Sequence, residues 1–197
     1  MRTYKKLKLA FGTLLLTALA LQTSLAQTYQ LSNASSSLII DGTSNIHDWD
    51  ITAENQQGKI VVVLEDGKLV RIDQLDFSVK AESLKSGKSG MDKNTYKALN
   101  TEKHKQIVYK LKKVNAINCT SNNSCKVTTN GSLTIAGTTN SVDITFDVKV
   151  VGSKIILSGK KTLKMTDYGV EPPTAVFGTI TTGDAIDVKF ESNFIKQ

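Results

Sequence analysis

The stretch Val142-Asp-Ile-Thr-Phe-Asp-Val-Lys-Val150 alternates apolar and polar residues without interruption. Successive side chains of a β-strand point to opposite faces, so this alternation predicts a strand with one buried and one solvated face. The same period, or a short apolar run, recurs in segments at residues 37–41, 46–54, 59–64, 75–82, 107–112, 155–165 and 186–194. Strands at this spacing predict an all-β domain, either a barrel or a sandwich.

One segment breaks this pattern. Residues Ser89-Gly-Met-Asp-Lys-Asn-Thr-Tyr-Lys-Ala-Leu99 carry helical spacing, with Met91 and Leu99 on one side. Ser89 has the short polar side chain that caps a helix N-terminus, and Asp92 places a negative charge in the first turn, where the helix dipole favours it. The sequence therefore predicts one short helix across a β structure.

The first 26 residues have the composition of a secretory signal peptide. Arg2 and three lysines form a positive start, an apolar stretch follows over residues 9–21, and small residues stand at the cleavage position. The apolar stretch is shorter than the roughly 20 residues that a membrane span needs. We therefore expect cleavage between Ala26 and Gln27, a periplasmic location, and a single mature domain over residues 27–197.

The basic residues are distributed unevenly. The whole chain has 25 basic and 18 acidic side chains, a net charge of +7. Four of the basic residues lie in the signal segment, so the rest of the chain has 21 basic against 18 acidic residues, a net +3. This modest charge does not indicate a nucleic-acid partner. Ten lysines fall between Lys80 and Lys113 against three acidic residues, and they form either a solvated face or a docking surface for an anionic membrane or a phosphate headgroup.

Two cysteines, Cys119 and Cys125, flank a polar segment that is typical of a hairpin tip. Exported proteins keep disulfides, and a bridge here would stabilise the turn by about 2 kcal/mol. A zinc site needs further ligands, and a redox-active pair usually has the spacing C-x-x-C, so the structural bridge is favoured over both. The sequence predicts no metal ion and no cofactor.

The sequence contains no phosphate-binding loop, haem-attachment motif, zinc-protease motif or pair of catalytic carboxylates. His47, with Asp48 and Asp50 beside it, is the one group that suggests catalysis. Strand alternation puts His47 and Asp48 on opposite faces, whereas acid–base catalysis needs its partners within hydrogen-bond reach. We therefore expect a protein that is not an enzyme, with Trp49 of the same segment as a packing residue.

Four short segments stand out in the remaining chain. They are Gly42-Thr-Ser-Asn-Ile-His-Asp-Trp49, Met91-Asp-Lys-Asn-Thr-Tyr-Lys-Ala-Leu99, Gly131-Ser-Leu-Thr-Ile-Ala-Gly137, and Met165-Thr-Asp-Tyr-Gly-Val-Glu-Pro-Pro173 with Gly183-Asp184. In this order they resemble the YceI-like family of lipocalin-like, polyisoprenoid-binding proteins, over about Ser36 to Ile195. The His-Asp-Trp start is similar to the branch common in Bacteroidetes-type bacteria. It departs from the better-studied branch, in which a Gly-x-Phe stretch follows the first strand.

This resemblance implies an eight-stranded antiparallel, lipocalin-like barrel with one short helix and an elongated apolar cavity that holds an isoprenoid lipid, such as a quinone or a polyprenyl chain. Eight strands leave an interior just wide enough for one slender ligand. The inward apolar faces supply the lining that we expect, namely Trp49, Phe77, Val79, Met91, Leu99, Phe146, Val148, Phe190 and Phe194. Tyr96 and Tyr168 are candidate hydrogen-bond donors to a headgroup.

Alternation alone fits a filled barrel as well as a hollow one. A filled barrel would belong to an envelope or stress protein that docks a partner or an anionic membrane through its lysine-rich face. A hollow barrel predicts a carrier or store for a lipid, with transient contact to a membrane surface. A homodimer fits either case.

Overall fold

The structure, a computed structural model, describes residues 25–120 and 123–197. Nearly all of the predicted signal peptide therefore lies outside the described residues. The described residues form one α-helix, α1 (Ser89–Leu99), and short 3-10 helices at Asn33–Ser35, Ala81–Ser83 and Thr166–Tyr168. Their strands are β1 (Ala26–Leu31), β2 (Ser37–Ser44), β3 (Trp49–Ala53), β4 (Gln56–Glu65), β5 (Lys68–Lys80), β6 (Leu84–Lys85), β7 (Gln106–Cys119), β8 (Ser124–Ile135), β9 (Thr138–Val151), β10 (Lys154–Lys164), β11 (Thr174–Ala175) and β12 (Ile180–Lys196).

Eight strands close into a barrel. Their order is β1-β4-β5-β7-β8-β9-β10-β12, and β12 returns to pair with β1 from Tyr29↔Lys196 to Leu31↔Phe194. Every neighbouring pair is antiparallel. Closure leaves these eight strands without a free edge. The predicted eight-stranded antiparallel barrel with one short helix is confirmed.

Short breaks in the chain separate β1 from β2, β3 from β4, and β5 from β6. On the far side of these breaks from the barrel strands β1, β4 and β5, the strand β2 pairs with β12, β3 with β2, and β6 with β3. Side chains join the interruptions at one level of the barrel: the Asn33 amide donates to the carbonyl oxygen of Glu54 at 2.8 Å and accepts from the Gln56 N–H at 2.7 Å. The Asn55 N–H donates to Ser83 Oγ at 3.1 Å. These bonds satisfy backbone groups that the broken ladder leaves unpaired.

One end of the barrel is solid. Val62, Val127, Val148 and Ile155 are fully buried there, at the end where β5 begins and β9 ends. The β7–β8 hairpin at the same end carries the disulfide between Cys119 and Cys125 that the sequence analysis favoured. The solid end is therefore held by apolar packing and by one covalent link.

The strand β1 lies outside the segments predicted to be strands. This strand includes the expected cleavage position, and it pairs with β4 from Ala26↔Val63 to Gln30↔Lys59. A chain that starts at Gln27 would keep all but the first of these pairs. The expected signal peptide and the first barrel strand are thus compatible, although residues 1–24 lie outside the described residues.

The helix α1 spans the predicted residues, but its N-terminal cap differs from the prediction. Ser89 lies inside the helix, the N-cap position is Lys88, and no side chain caps it. The Asp92 carboxylate instead accepts hydrogen bonds from the N–H and Oγ of Ser86, at 2.8 and 2.7 Å. At the other end, Asn100 adopts a left-handed conformation (φ 49°) that ends the helix.

Candidate functional site

The other end of the barrel is hollow. It contains a cavity of about 760 Å³, within the size range of small-molecule pockets. Exposed residues such as Ile46, Lys88 and Lys93 border the cavity, so it opens to solvent between α1 and the β2–β3 turn. Most of the other lining side chains are aliphatic or aromatic, and they suit an apolar ligand.

Two phenylalanine rings meet at the wall of the cavity. The rings of Phe146 and Phe190 pack edge to face, with centroids 6.4 Å apart. They lie against Gly159, where an added Cβ would stand 2.8 Å from Phe190 Cζ and 3.0 Å from Phe146 Cβ. Because Gly159 has no side chain, the Phe190 ring and the Phe146 Cβ can lie close to the β10 backbone.

The segment Gly42–Trp49 forms one edge of the opening. The Trp49 ring lies so close over Gly42 that a Cβ there would come within 2.0 Å of it, and its Nε1 donates to the Thr43 carbonyl at 3.0 Å. The Ser44 hydroxyl accepts from the N–H of His47 at 3.1 Å and closes the turn. This turn lies at residues 45–48, so β2 runs on to Ser44, beyond the predicted strand segment at residues 37–41. The polar atoms of the Trp49 and Ser44 side chains thus both make hydrogen bonds within this segment.

Eight of the nine predicted lining residues border the cavity, and their role in binding remains a prediction. Val148 does not border it, because it lies in the solid core two residues further along β9 than Phe146. The eight that border the cavity are Trp49, Phe77, Val79, Met91, Leu99, Phe146, Phe190 and Phe194.

The two predicted headgroup tyrosines lie in different places. Tyr96 does not border the cavity: its hydroxyl lies 2.6 Å from Lys85 Nζ and 3.0 Å from the carbonyl oxygens of Glu82 and Leu84. Its hydroxyl has three partners within the protein, and a role of Tyr96 in binding a headgroup stays a prediction. Tyr168 does border the cavity, and its side chain is 3% exposed. Burial raises its pKa, and its hydroxyl makes no hydrogen bond to another described residue.

Sequence reasoning missed Tyr109, a further tyrosine of the cavity wall. Its ring lies over Gly131, and its hydroxyl is 3.1 Å from Thr129 Oγ1. Burial is the main cause that raises the pKa of the Tyr109 hydroxyl. A signal was present in the alternation of residues 107–112, which places Tyr109 on the same face as Ile107.

Among the described residues, His47 has no hydrogen bond to a carboxylate. The imidazole is exposed, and its Nδ1 lies 2.8 Å from the backbone oxygen of Asp48 rather than from a carboxylate. Across residues 25–120 and 123–197, no three His, Cys, Asp or Glu side chains are grouped to hold a metal ion. In the same part of the chain, no helix has the length and apolar character to cross a membrane.

The lysine-rich segment contributes two residues to the rim of the cavity, Lys88 and Lys93. Lys161 and Lys164 of β10 also border it, and the described residues that line the cavity include no aspartate or glutamate. The cavity is therefore apolar inside and positively charged at its opening.

A closed antiparallel barrel with an apolar cavity at one end has the architecture of a lipocalin-like, ligand-binding barrel. The chain belongs to the family of YceI-like domains, whose family model matches residues 29–194. This match confirms the resemblance inferred from the four sequence segments. No curated protein matches the chain.

Solved structures of low sequence identity share the fold. A polyisoprenoid binding domain from Saccharophagus degradans, implicated in plant cell wall breakdown, is 12% identical with a TM-score of 0.68, covering 87% of this chain and 99% of that one. Burkholderia cenocepacia BcnA is 15% identical with a TM-score of 0.64, covering 83% and 98%. The Campylobacter jejuni YceI protein is 18% identical with a TM-score of 0.56, covering 73% and 82%.

Proposed function

We propose that this protein binds the tail of an isoprenoid-type lipid in its barrel cavity and carries or stores that lipid in the periplasm, without covalent chemistry. The observation that carries the proposal is the apolar cavity of about 760 Å³, open at one end. The solved polyisoprenoid binding domain of the same fold supports it. A barrel filled throughout would contain no such cavity, so the filled-barrel alternative has less support.

Burial of an isoprenoid tail supplies the binding energy that this function needs. Each isoprene unit has five carbons, so its burial contributes roughly 3–4 kcal/mol, of which chain ordering removes part. Two or three buried units would give useful affinity without a catalytic group. Trp49, the one tryptophan of the chain, lies on the wall and reports on occupancy, since a bound quinone would quench its fluorescence.

A matched pair of variants on α1 tests the proposal. Ala98 faces the cavity, whereas Lys97 is exposed on the outer side of the helix. We expect the Ala98→Trp side chain to occupy part of the cavity and to weaken the affinity for an isoprenoid quinone by about tenfold or more. A tenfold loss corresponds to about 1.4 kcal/mol, which is less than the burial energy of one isoprene unit. Lys97→Trp should bind as the unaltered protein does.

Uptake is measured by native mass spectrometry with an added short-chain quinone, since each variant adds its own tryptophan. Organic extraction of the purified protein shows which lipid co-purifies. The absence of both a co-purified lipid and uptake would contradict the proposal, and so would equal uptake by the two variants when both are folded.

We further propose that the lipid enters and leaves at a membrane surface that touches the opening. Phe177 and Val176 are exposed at the tip between β11 and β12, with Ile46 on the β2–β3 turn. Asn45 joins the turn to this tip through bonds to the Thr179 carbonyl oxygen at 2.9 Å and the Thr181 N–H at 3.0 Å. Exposed apolar residues beside lysines are typical of surfaces that contact anionic lipid.

Vesicle sedimentation tests this contact. We expect Phe177→Ser to weaken binding to phosphatidylglycerol vesicles by about tenfold, because a large aromatic side chain no longer enters the interface. Val151→Ser removes an exposed apolar residue from the solid end, and it should leave binding unchanged. Equal binding by both variants would rule out contact through this tip.

A further inference from the structure

The reduced sulfur atoms of the described residues lie at the hollow end of the barrel. The chain has three methionines and two cysteines. Met1 lies outside the described residues, whereas Met91 and Met165 both border the cavity. Cys119 and Cys125 are joined to each other in the disulfide at the solid end. Within residues 25–120 and 123–197, the two methionines therefore carry the only sulfur atoms that are not already oxidised.

The two methionines lie on different parts of the cavity wall. Met91 is in the first turn of α1 and packs against a small buried cluster that includes Leu38. Met165 follows directly after β10 and packs against the larger cluster of the core. The Met165 N–H donates to the Asp184 carbonyl oxygen at 3.0 Å, and the Met165 carbonyl oxygen accepts from the Tyr168 N–H at 3.0 Å. These backbone bonds fix the position of Met165 at the wall.

Both thioethers are accessible to a small oxidant. Neither Met91 nor Met165 is fully buried, and the cavity that they border opens to solvent. A free thiol would compete for the oxidant, but both cysteines of the chain are held in the disulfide. An oxidant that enters the cavity therefore meets two thioethers and no thiol.

We propose that Met91 and Met165 are oxidation sites that regulate the affinity of the cavity for an apolar tail. The oxidant is a peroxide. A sulfur lone pair attacks one peroxide oxygen, an S–O bond forms as the O–O bond breaks, and the second oxygen leaves as water after proton transfer. Each sulfide is thus oxidised by two electrons to a sulfoxide, and hydrogen peroxide is reduced to water.

The sulfoxide changes what the cavity wall offers to a ligand. A flexible apolar side chain becomes polar, and its new oxygen is a hydrogen-bond acceptor that water solvates. A hydrocarbon tail that covers this oxygen removes the water without replacing its hydrogen bonds, which costs free energy. The two sites act independently, each on its own part of the wall. The inference rests on the proposed function and adds regulation to it.

Peroxide treatment of the unaltered protein tests the inference. Peptide mapping by mass spectrometry measures the gain of one oxygen at each sulfur, and desalting removes each reagent before a short-chain isoprenoid quinone is added. We expect oxidation at both sites to weaken affinity for the quinone by about tenfold or more, a difference of about 1.4 kcal/mol. Treatment with a methionine sulfoxide reductase and its thiol reductant should restore the affinity, because this oxidation is reversible.

Met91→Leu combined with Met165→Leu keeps both side chains apolar and close to their original volume, but leucine forms no sulfoxide. The affinity of this double variant should be the same before and after peroxide. Adding Val151→Met to the double variant gives the matched control, since it places a thioether at an exposed position of the solid end. That thioether should be oxidised without any loss of affinity.

Oxidation of both cavity sulfurs with unchanged affinity would overturn the inference while the proposed function stands. An equal loss of affinity in the peroxide-treated double variant would overturn it as well, and so would loss of the β-sheet circular dichroism signal in the oxidised protein. Cavity sulfurs that resist a peroxide concentration sufficient to oxidise the thioether of Val151→Met would also overturn it. Absence of quinone binding by the untreated protein would instead overturn the proposed function.

Discussion

The solid and hollow ends of the barrel are built from the same strands and the same alternation. Along β9, Val148 lies in a fully packed interior, whereas Ile144, four residues away on the same face, borders the cavity. The buried apolar residues form two clusters, and both contribute side chains to the cavity. The smaller cluster lies on β2, β3, β5 and β6, and partly buried residues such as Phe77 and Phe190 pack against both clusters.

Glycines beneath aromatic rings help to keep the hollow end open. Trp49 lies over Gly42, and Tyr109 lies over Gly131. A ring that rests on a neighbouring strand's glycine stays against the wall and does not cross the interior. Without the glycine, a side chain on the neighbouring strand would push the ring inward. Pairs of an aromatic residue and a glycine on neighbouring strands therefore help to leave one end of the barrel hollow.

The family segments identified in the sequence lie around the hollow end. Gly42 and Trp49 form its edge, Gly131 lies under a wall tyrosine, and Asp184 accepts hydrogen bonds from the N–H and Oγ of Thr166 at 2.9 and 2.7 Å. The solid end needs only apolar side chains of suitable size, which many sequences supply. A cavity needs specific pairs, so its residues form recognisable segments.

The largest difference between the ends should appear in stability. We expect Ile155→Ala at the solid end to lower the free energy of unfolding by about 2–5 kcal/mol, since it leaves a void in a packed core. Ile144→Ala at the hollow end should cost less than about 2 kcal/mol, because Ile144 already borders empty space and loses fewer contacts. Urea denaturation of both variants measures the two losses.

Lipid uptake by the Ile155→Ala and Ile144→Ala variants gives a second measurement of the difference between the two ends. Ile144→Ala enlarges the cavity and should bind the quinone at least as well as the unaltered protein, and Ile155→Ala should bind normally where it remains folded. Equal losses of stability would show that the hollow end is packed as tightly as the solid end.

Alternation predicted most of the strands and a barrel or a sandwich, because it reports which face of a strand is buried, whereas the closed eight-stranded barrel was implied by the resemblance to the family. It missed β8, since the buried face of this strand includes Thr129 and Gly131, which do not look apolar. It missed β1 because this strand overlaps the predicted cleavage position and has only two large apolar side chains, Tyr29 and Leu31.

The cavity itself could not be predicted from alternation. Alternation gives the face of a side chain but not its depth, so Val148 was placed with Phe146, although it lies nearer the solid end. It also gives no register between strands, so the contact of Trp49 with Gly42 was invisible. The hydrogen bonds of Tyr96 could not be predicted from α1 alone, because Lys85 and the two backbone carbonyls lie on the 3-10 helix and the short strand that precede it.

The two ends of the barrel should also differ, by a smaller amount, in how their stability depends on pH. Asp92 anchors α1 at the hollow end, and hydrogen bonds from the Ser86 Oγ and N–H lower the pKa of its carboxyl, with Lys85 adding a smaller contribution. A lowered folded-state pKa means that the stabilisation is present above about pH 4, the usual value for an unfolded aspartate, and is lost as the pH falls through the folded-state pKa. Acid should therefore loosen the wall that α1 provides.

Asp92→Asn tests this anchor against Asp66→Asn, which alters an exposed turn at the solid end. We expect Asp92→Asn to lower the free energy of unfolding by about 1.5 kcal/mol at pH 7, because it replaces a charged hydrogen-bond acceptor. This deficit should shrink as the pH falls below about 4, where the native carboxylate also becomes protonated. Quinone uptake should fall together with stability in Asp92→Asn and stay unchanged in Asp66→Asn. A deficit that stays constant from pH 7 down to pH 3 would show that the charge on Asp92 does not hold the helix.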